Sequence, residues 1–202
     1  MIVGLTGGIA TGKSSVGGIL SDLGARVIDA DHVAKAVVSP GTECLSAIRD
    51  AFGDEVFLDN GALNREALGT RVMGNPEERK RLEAITHPRI RAEIAQRVQA
   101  ALEQGVEAVF VEAALLVETG SAKLYPHLWV VTCEHETQVT RLMARKGCSR
   151  ETAETWIGAQ IPVREKELHA TQVIDNNGSA AELRDTVTEA YETLKVQRQD
   201  PD

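Results

Sequence analysis

Residues 7–14 read Gly-Gly-Ile-Ala-Thr-Gly-Lys-Ser and fit the pattern G-x-x-x-x-G-K-[ST]. Each residue type in that pattern has work to do at a phosphate chain. Glycines allow backbone conformations that a Cβ forbids, so main-chain N–H groups around Gly8, Ile9, Ala10, Thr11 and Gly12 can close on phosphate oxygens. The helix expected to start at Lys13 adds the positive end of its dipole. Lys13 can carry a full charge to the β and γ phosphates, and the Ser14 hydroxyl can ligate Mg²⁺.

Other side chains could join this chemistry. Asp29 and Asp31 close a short apolar run, Arg26 to Asp29. In open α/β sheets ligands bind beyond the carboxyl ends of the strands. A carboxylate there can accept a hydrogen bond from an attacking hydroxyl or hold a metal-bound water, and it can equally cap the next helix. Glu112 ends the run Ala-Val-Phe-Val-Glu, where an acidic residue can serve a Mg²⁺ shell or simply face solvent. Arg141 and Arg145 are four apart and share a helix face. That face is either a clamp for a transferring phosphoryl group or a solvated basic surface. His87, before Pro88, and Glu118, after an apolar run, each have a structural and a functional reading on spacing alone.

These residues require a scaffold, and the pattern supplies one. Residues 2–6 are apolar and read as a buried strand. Residues 13–23 carry Val16, Ile19, Leu20 and Leu23 at helical spacing, and residues 26–29 read as a second strand. Strand, glycine loop, helix and strand imply a parallel sheet. Residues 31–105 are mostly helical in pattern, with a kink or break expected at His87-Pro88. Strands resume at 108–111 and 128–132. Two helices follow over 134–146 and 149–160, then a short strand over 172–174. The last helix is expected to start after Ser179, with Glu182 completing a capping box, and to reach about residue 196 before a frayed tail.

Composition limits the alternatives. The chain has 202 residues, is 43% hydrophobic and 26% charged, and carries a net charge of −8. An acidic chain is a poor non-specific partner for nucleic acid. Aromatics are only 3%, so the core is expected to be mostly Val, Leu, Ile and Ala. Cys44, Cys133 and Cys148 have neither disulfide nor metal spacing and read as reduced thiols of a cytoplasmic protein. No signal peptide or membrane span is expected, and a monomer is the expected state.

The whole pattern resembles the dephospho-CoA kinase family. Gly-Leu-Thr-Gly-Gly-Ile-Ala-Thr-Gly-Lys-Ser-Ser at 4–15 is similar to that family's opening, with Ala10 where glycine is common. Val27-Ile28-Asp29-Ala30-Asp31, Leu63-Asn64-Arg65 and His87-Pro88-Arg89-Ile90 match further motifs in order. So do Ala114 to Glu118, though without the family's proline. Arg141, Arg145, Ser149, Ala153 and Gln160 match the lid pattern, and Ile174-Asp175-Asn176-Asn177-Gly178 match the closing motif.

The resemblance implies an α/β fold. Its P-loop core, on a parallel sheet, would take residues 1–30, 106–133 and 161–202. A helical substrate-binding insertion would take 31–105, and a helical lid 134–160. It implies transfer of the γ-phosphoryl group of ATP, with Mg²⁺, to the ribose 3′-hydroxyl of dephospho-CoA. Asp31, Lys13 and Arg141 would be catalytic. Gly8, Ile9, Ala10, Thr11, Gly12, Lys13, Ser14, Ser15, Arg145 and Asn176 would bind ATP. Thr6, Asp31, Arg65, His87, Leu115 and Glu118 would meet the acceptor. Ser14, with Glu112 through water, would serve the metal. Another P-loop nucleotide or metabolite kinase is the nearest alternative. A GTPase-like switch would need an N-K-x-D motif, which the sequence lacks.

Overall fold

The structure of the protein, a computed structural model, describes residues 1–199. In chain order the elements are β1 (Ile2–Gly7), α1 (Lys13–Asp22), β2 (Arg26–Asp29), α2 (Ala30–Ala36), α3 (Glu43–Phe52), α4 (Arg65–Met73), α5 (Pro76–Glu103), β3 (Val109–Glu112), β4 (His127–Thr132), α6 (His135–Lys146), α7 (Arg150–Gly158), α8 (Val163–Glu167), β5 (Gln172–Asp175) and α9 (Ala180–Gln199). α9 continues to Gln199, past the end expected near residue 196, and the rest of the tail expected to fray falls outside the described residues.

The chain divides into two compact units, residues 1–28 with 100–202 and residues 29–99. The first holds a sheet of order β2-β3-β1-β4-β5. β1 pairs in parallel with both β3 and β4, and β4 pairs in parallel with β5. The loops after β1, β3, β4 and β5 therefore leave from one edge. β1 sits where the chain switches from building one side of the sheet to the other, the place where such folds open a crevice.

Burial explains why these strands are apolar runs rather than alternating ones. Val109, Phe110 and Val111 of β3 are all buried, as are Leu128 to Val131 of β4. On one face Val16 and Leu20 of α1 and Leu183, Val187, Tyr191 and Leu194 of α9 pack with Val3, Leu5, Phe110, Trp129, Val131 and Ile174. The aliphatic expectation holds by number, yet the centre of this core is aromatic. Phe110 meets Trp129 edge-on at 5.1 Å between ring centroids and Tyr191 at 6.2 Å. Three of the chain's seven aromatic residues are gathered there, as large rings bury the most area per side chain.

The second unit has its own core of Val38, Cys44, Leu45, Ile48, Phe52, Val56 and Leu68. Thr42 and Asn64 cap α3 and α4 through side-chain bonds to the N–H groups of Leu45 and Ala67. Of the kink or break expected at His87-Pro88, the break does not occur: α5 runs through Pro88 for 28 residues. Pro88 removes one N–H from the ladder. The neighbouring carbonyls of Leu82 and Ile85 take side-chain bonds from the Thr86 hydroxyl at 2.9 Å and from Arg89 at 2.8 Å. The carbonyl that loses its donor is that of Ala84, four residues before Pro88, and the helix continues past it.

Ser179 and Glu182 form the expected capping box. The Ser179 N–H donates to Glu182 Oε2 at 2.7 Å, and the Glu182 N–H donates to the Ser179 hydroxyl at 3.3 Å.

Candidate active site

The loop after β1 turns into α1 through Gly12, whose φ of 99° is left-handed. A Cβ at Gly12 would also collide with the side-chain amide of Asn176. That amide donates to Thr11 O at 2.8 Å, and the Asn176 N–H donates to Thr132 O at 2.9 Å. Asn176, buried at the end of β5, thus ties the loop to the edge of the sheet. Ala10 is the one non-glycine residue with a left-handed backbone among those described, at φ 60°. The position where related loops commonly carry glycine does adopt a glycine-type conformation here, at a cost of about 1–2 kcal/mol for a residue with a Cβ.

Lys13 Nζ lies against the carbonyls of Gly7 and Gly8, at 3.1 and 3.0 Å. The Ser14 hydroxyl donates to Glu112 Oε1 at 3.2 Å, which brings the end of β3 beside the start of α1. Two hard oxygen donors side by side suit Mg²⁺, which takes most of its remaining ligands from phosphates and water. No cluster of three metal-ligating side chains exists among the described residues.

A cavity of about 310 Å³ is lined by Ala10, Gly12, Lys13, Ser14, Ser15, Arg141 and Arg145. Both arginines reach it from one face of α6. Nη1 of Arg141 is buried and has no hydrogen-bond partner among the described residues. A second cavity of about 440 Å³ adjoins through Gly12, Ser15 and Arg141, and extends past Ile19, Asn176, Gly178 and Leu183. Arg141 also lies beside Cys133, whose thiol is pushed up by burial against the opposing pull of that guanidinium.

The remaining site candidates fall in three groups. Leu115 is exposed on the turn after β3. Thr6 and Glu118 each face protein rather than solvent. Thr6 is fully buried and its hydroxyl donates to Ala114 O at 3.2 Å. Glu118 pairs at 2.6 Å with Lys166 of α8, a side chain with no exposed surface. Lys166 Nζ also donates to Ala114 O at 2.7 Å. These contacts hold the turn.

The third group lies in the unit 29–99. Asp29 caps α2 by accepting from the N–H groups of Asp31 and His32 at 2.8 and 3.0 Å. That leaves the exposed Asp31 side chain in the first turn. Arg65 opens α4 and donates to Lys35 O at 3.4 Å, and His87 is exposed on α5.

Pattern reading missed Gln138 and Lys166. Both are buried polar side chains that satisfy backbone carbonyls, at Ile9 and Ala114. A glutamine or lysine on a helix carries no sequence mark of burial.

The model of the dephospho-CoA kinase family matches residues 1–182 of this chain. The chain belongs to the dephospho-CoA kinase family. A dephospho-CoA kinase from Geobacter sulfurreducens is 47% identical over 190 residues, covering 94% of this chain and 96% of the relative. A dephospho-CoA kinase structure from Campylobacter jejuni superposes with a TM-score of 0.73 at 30% identity, covering 98% of each chain. A Thermus thermophilus crystal structure reaches a TM-score of 0.83 at 33% identity, covering 96% of each. Dephospho-CoA kinases are ATP-dependent enzymes that phosphorylate a hydroxyl group, and the chain has the P-loop kinase fold.

Proposed function

We propose that this chain transfers the γ-phosphoryl group of ATP to the ribose 3′-hydroxyl of dephospho-CoA, giving coenzyme A and ADP, the last step of coenzyme A synthesis. The observation that carries the reading is the unpartnered, buried Nη1 of Arg141 at the cavity shared with Lys13, Ser14 and Arg145. A buried cationic donor without an acceptor is costly unless an anion arrives.

In this reading Lys13 and the loop N–H groups other than that of Ile9, which donates to Gln160, hold the β and γ phosphates. Arg141 and Arg145 spread over the transferring group, whose transition state offers mainly charge to be stabilised. The adjoining cavity takes the nucleoside beside Asn176. Mg²⁺, held by Ser14 with Glu112 acting through water, would offset phosphate charge. Asp31, free of the capping duty that Asp29 performs, orients or deprotonates the attacking hydroxyl.

The helical unit supplies acceptor contacts, Arg65 and His87 among them, and Thr6, Leu115 and Glu118 are further acceptor-binding candidates. Residues 134–160 act as a lid that keeps water from the γ-phosphate. The enzyme works as a cytoplasmic monomer. No helix among the described residues is long and apolar enough to cross a membrane.

The test is mass spectrometry of dephospho-CoA incubated with MgATP and the protein, with AMP and adenosine as rival acceptors. Dephospho-CoA should gain one phosphoryl group far faster than either rival, since a long distal arm supplies binding energy usable at the reacting centre. Equal kcat/KM for AMP would make the protein a nucleotide kinase instead.

A further inference from the structure

Ile9 is held from both sides. Its N–H donates to Gln160 Oε1 at 2.8 Å, and its carbonyl accepts from Gln138 Nε2 at 2.6 Å. Gln138 lies on α6 and is 5% exposed; Gln160 follows α7. The absence of a Cβ at Gly8 makes room for this contact, since one there would come within 2.7 Å of Gln138 Nε2.

These bonds set two successive peptide planes. A trans peptide points its carbonyl and the following N–H in opposite directions. In the Gly8–Ile9 peptide the N–H is turned out to Gln160. Its carbonyl is turned into the loop, where it receives Thr11 Oγ1 and Lys13 Nζ, both at 3.0 Å. In the Ile9–Ala10 peptide the carbonyl is turned out to Gln138, so the Ala10 N–H is turned the other way. Ala10 lines the phosphate cavity, and its left-handed φ of 60° sets how the Ala10–Thr11 peptide follows from the one that Gln138 holds. Such a conformation persists in a non-glycine residue only when surrounding contacts enforce it.

The same helix carries the arginines. Gln138, Arg141 and Arg145 are spaced three and four apart and share a face. Val139, Leu142 and Ala153 form a buried cluster against which Ile9 and Ala10 pack.

We propose that Gln138 and Gln160 are positioning residues of the phosphate site. Together they orient the peptides on either side of Ile9 so that the Ala10 N–H faces the phosphates, and they tie the loop to the helix that brings Arg141 and Arg145. The proposal rests on the assignment of this cavity to nucleotide phosphates.

The two contacts have opposite polarity, which gives a selective test. Gln138→Glu removes the donor and sets a carboxylate against a carbonyl. Gln160→Glu keeps an acceptor for the Ile9 N–H and adds the same charge to the same residue's surroundings. Calorimetry on the full chain measures ADP and adenosine affinity for both variants, beside kcat and KM for ATP. Gln138→Glu should bind ADP about tenfold or more weaker than Gln160→Glu does, the usual scale for an unsatisfied buried acceptor. Adenosine affinity should match in the two variants.

Equal ADP affinity in the two variants overturns the proposal, and so does a loss for adenosine as large as that for ADP. Should Gln138→Glu fail to fold, Gln138→Met removes the donor without charge and must show the same ADP-selective loss. Wild-type affinity for ADP in that variant overturns the proposal as well. A wild-type protein that binds ADP no better than adenosine would refute the cavity assignment itself, a separate result.

Discussion

Lys166 offers a stability prediction that can be worked from the contacts. Its ammonium is fully buried, 2.6 Å from Glu118 and 2.7 Å from Ala114 O. Lys166→Met keeps the volume and removes the charge, leaving the Glu118 carboxylate without its cation in a side chain only 17% exposed. Oε2 of Glu118 already lacks a hydrogen-bond partner among the described residues, so nothing nearby substitutes. Breaking one side of a buried pair costs about 3–5 kcal/mol.

The lower end applies here, because Ala114 O keeps its bond from Thr6. With about 2–4 °C lost per kcal/mol in a chain of this size, the melting temperature should fall by roughly 6–12 °C. Lys166→Met with Glu118→Leu should recover most of the loss, since apolar replacement of a buried pair is often neutral. Leu116, Leu128 and Val130, with Val163 of α8 packed against them, provide an apolar neighbourhood for the new side chains. Urea unfolding of both singles and the double variant completes the cycle. The coupling should exceed about 1.5 kcal/mol, within the range for residues in contact. A single variant costing under about 1 kcal/mol, the scale of an exposed pair, would refute the reasoning. A double variant no more stable than the single would do the same.

Other expectations concern catalysis and pH. Lys13→Ala should lower kcat about a hundredfold or more, the scale of one electrostatic contact to a transition state; near-normal turnover in a folded variant removes Lys13 from the mechanism. Asp31→Asn should retain ATP affinity while turnover falls about a hundred- to ten-thousandfold, and lost affinity with intact kcat would point to a metal-shell role. Arg141→Lys and Arg145→Lys should both slow turnover more than they weaken ATP binding without acceptor, because lysine cannot hold two phosphate oxygens in a planar fork. Unchanged kcat in both would remove these arginines from the catalytic clamp.

Glu182 is held below the usual carboxylate range, chiefly by the Ser179 N–H and then by the Ser179 hydroxyl. A depressed folded value means its contribution is complete above the unfolded value and fades as pH falls through the folded one. The melting-temperature gap between wild type and Glu182→Gln should therefore be present near neutrality and close in acid. A pH-independent gap would remove the charge from the argument.

The sequence alone settled the parts whose physics is local. The phosphate loop is legible because glycines, a lysine and a serine are needed at set spacings. The buried parallel strands show as apolar runs, and the start of α9 shows in Ser179 and Glu182. Arg141 and Arg145 could be placed on one helix face, though spacing did not distinguish a clamp from a solvated surface. The tertiary structure brought both to a cavity with Lys13.

It also decided questions that no local pattern contains. Asp29 rather than Asp31 takes the N-cap of α2. Pro88 is absorbed by a continuous α5 with Thr86 and Arg89 bonding to nearby carbonyls. Thr6 and Glu118 turn inward because Ala114 O and Lys166 lie beside them after folding. Gln138 lies 129 residues from the Ile9 carbonyl it binds, and Asn176 lies 165 from Thr11. Their pairings depend on which strand ends and helices the sheet order brings together. The left-handed backbone at Ala10 is equally absent from local pattern: its own side chain disfavours that conformation, and Ile9 and Ala10 pack against the buried cluster of Val139, Leu142 and Ala153.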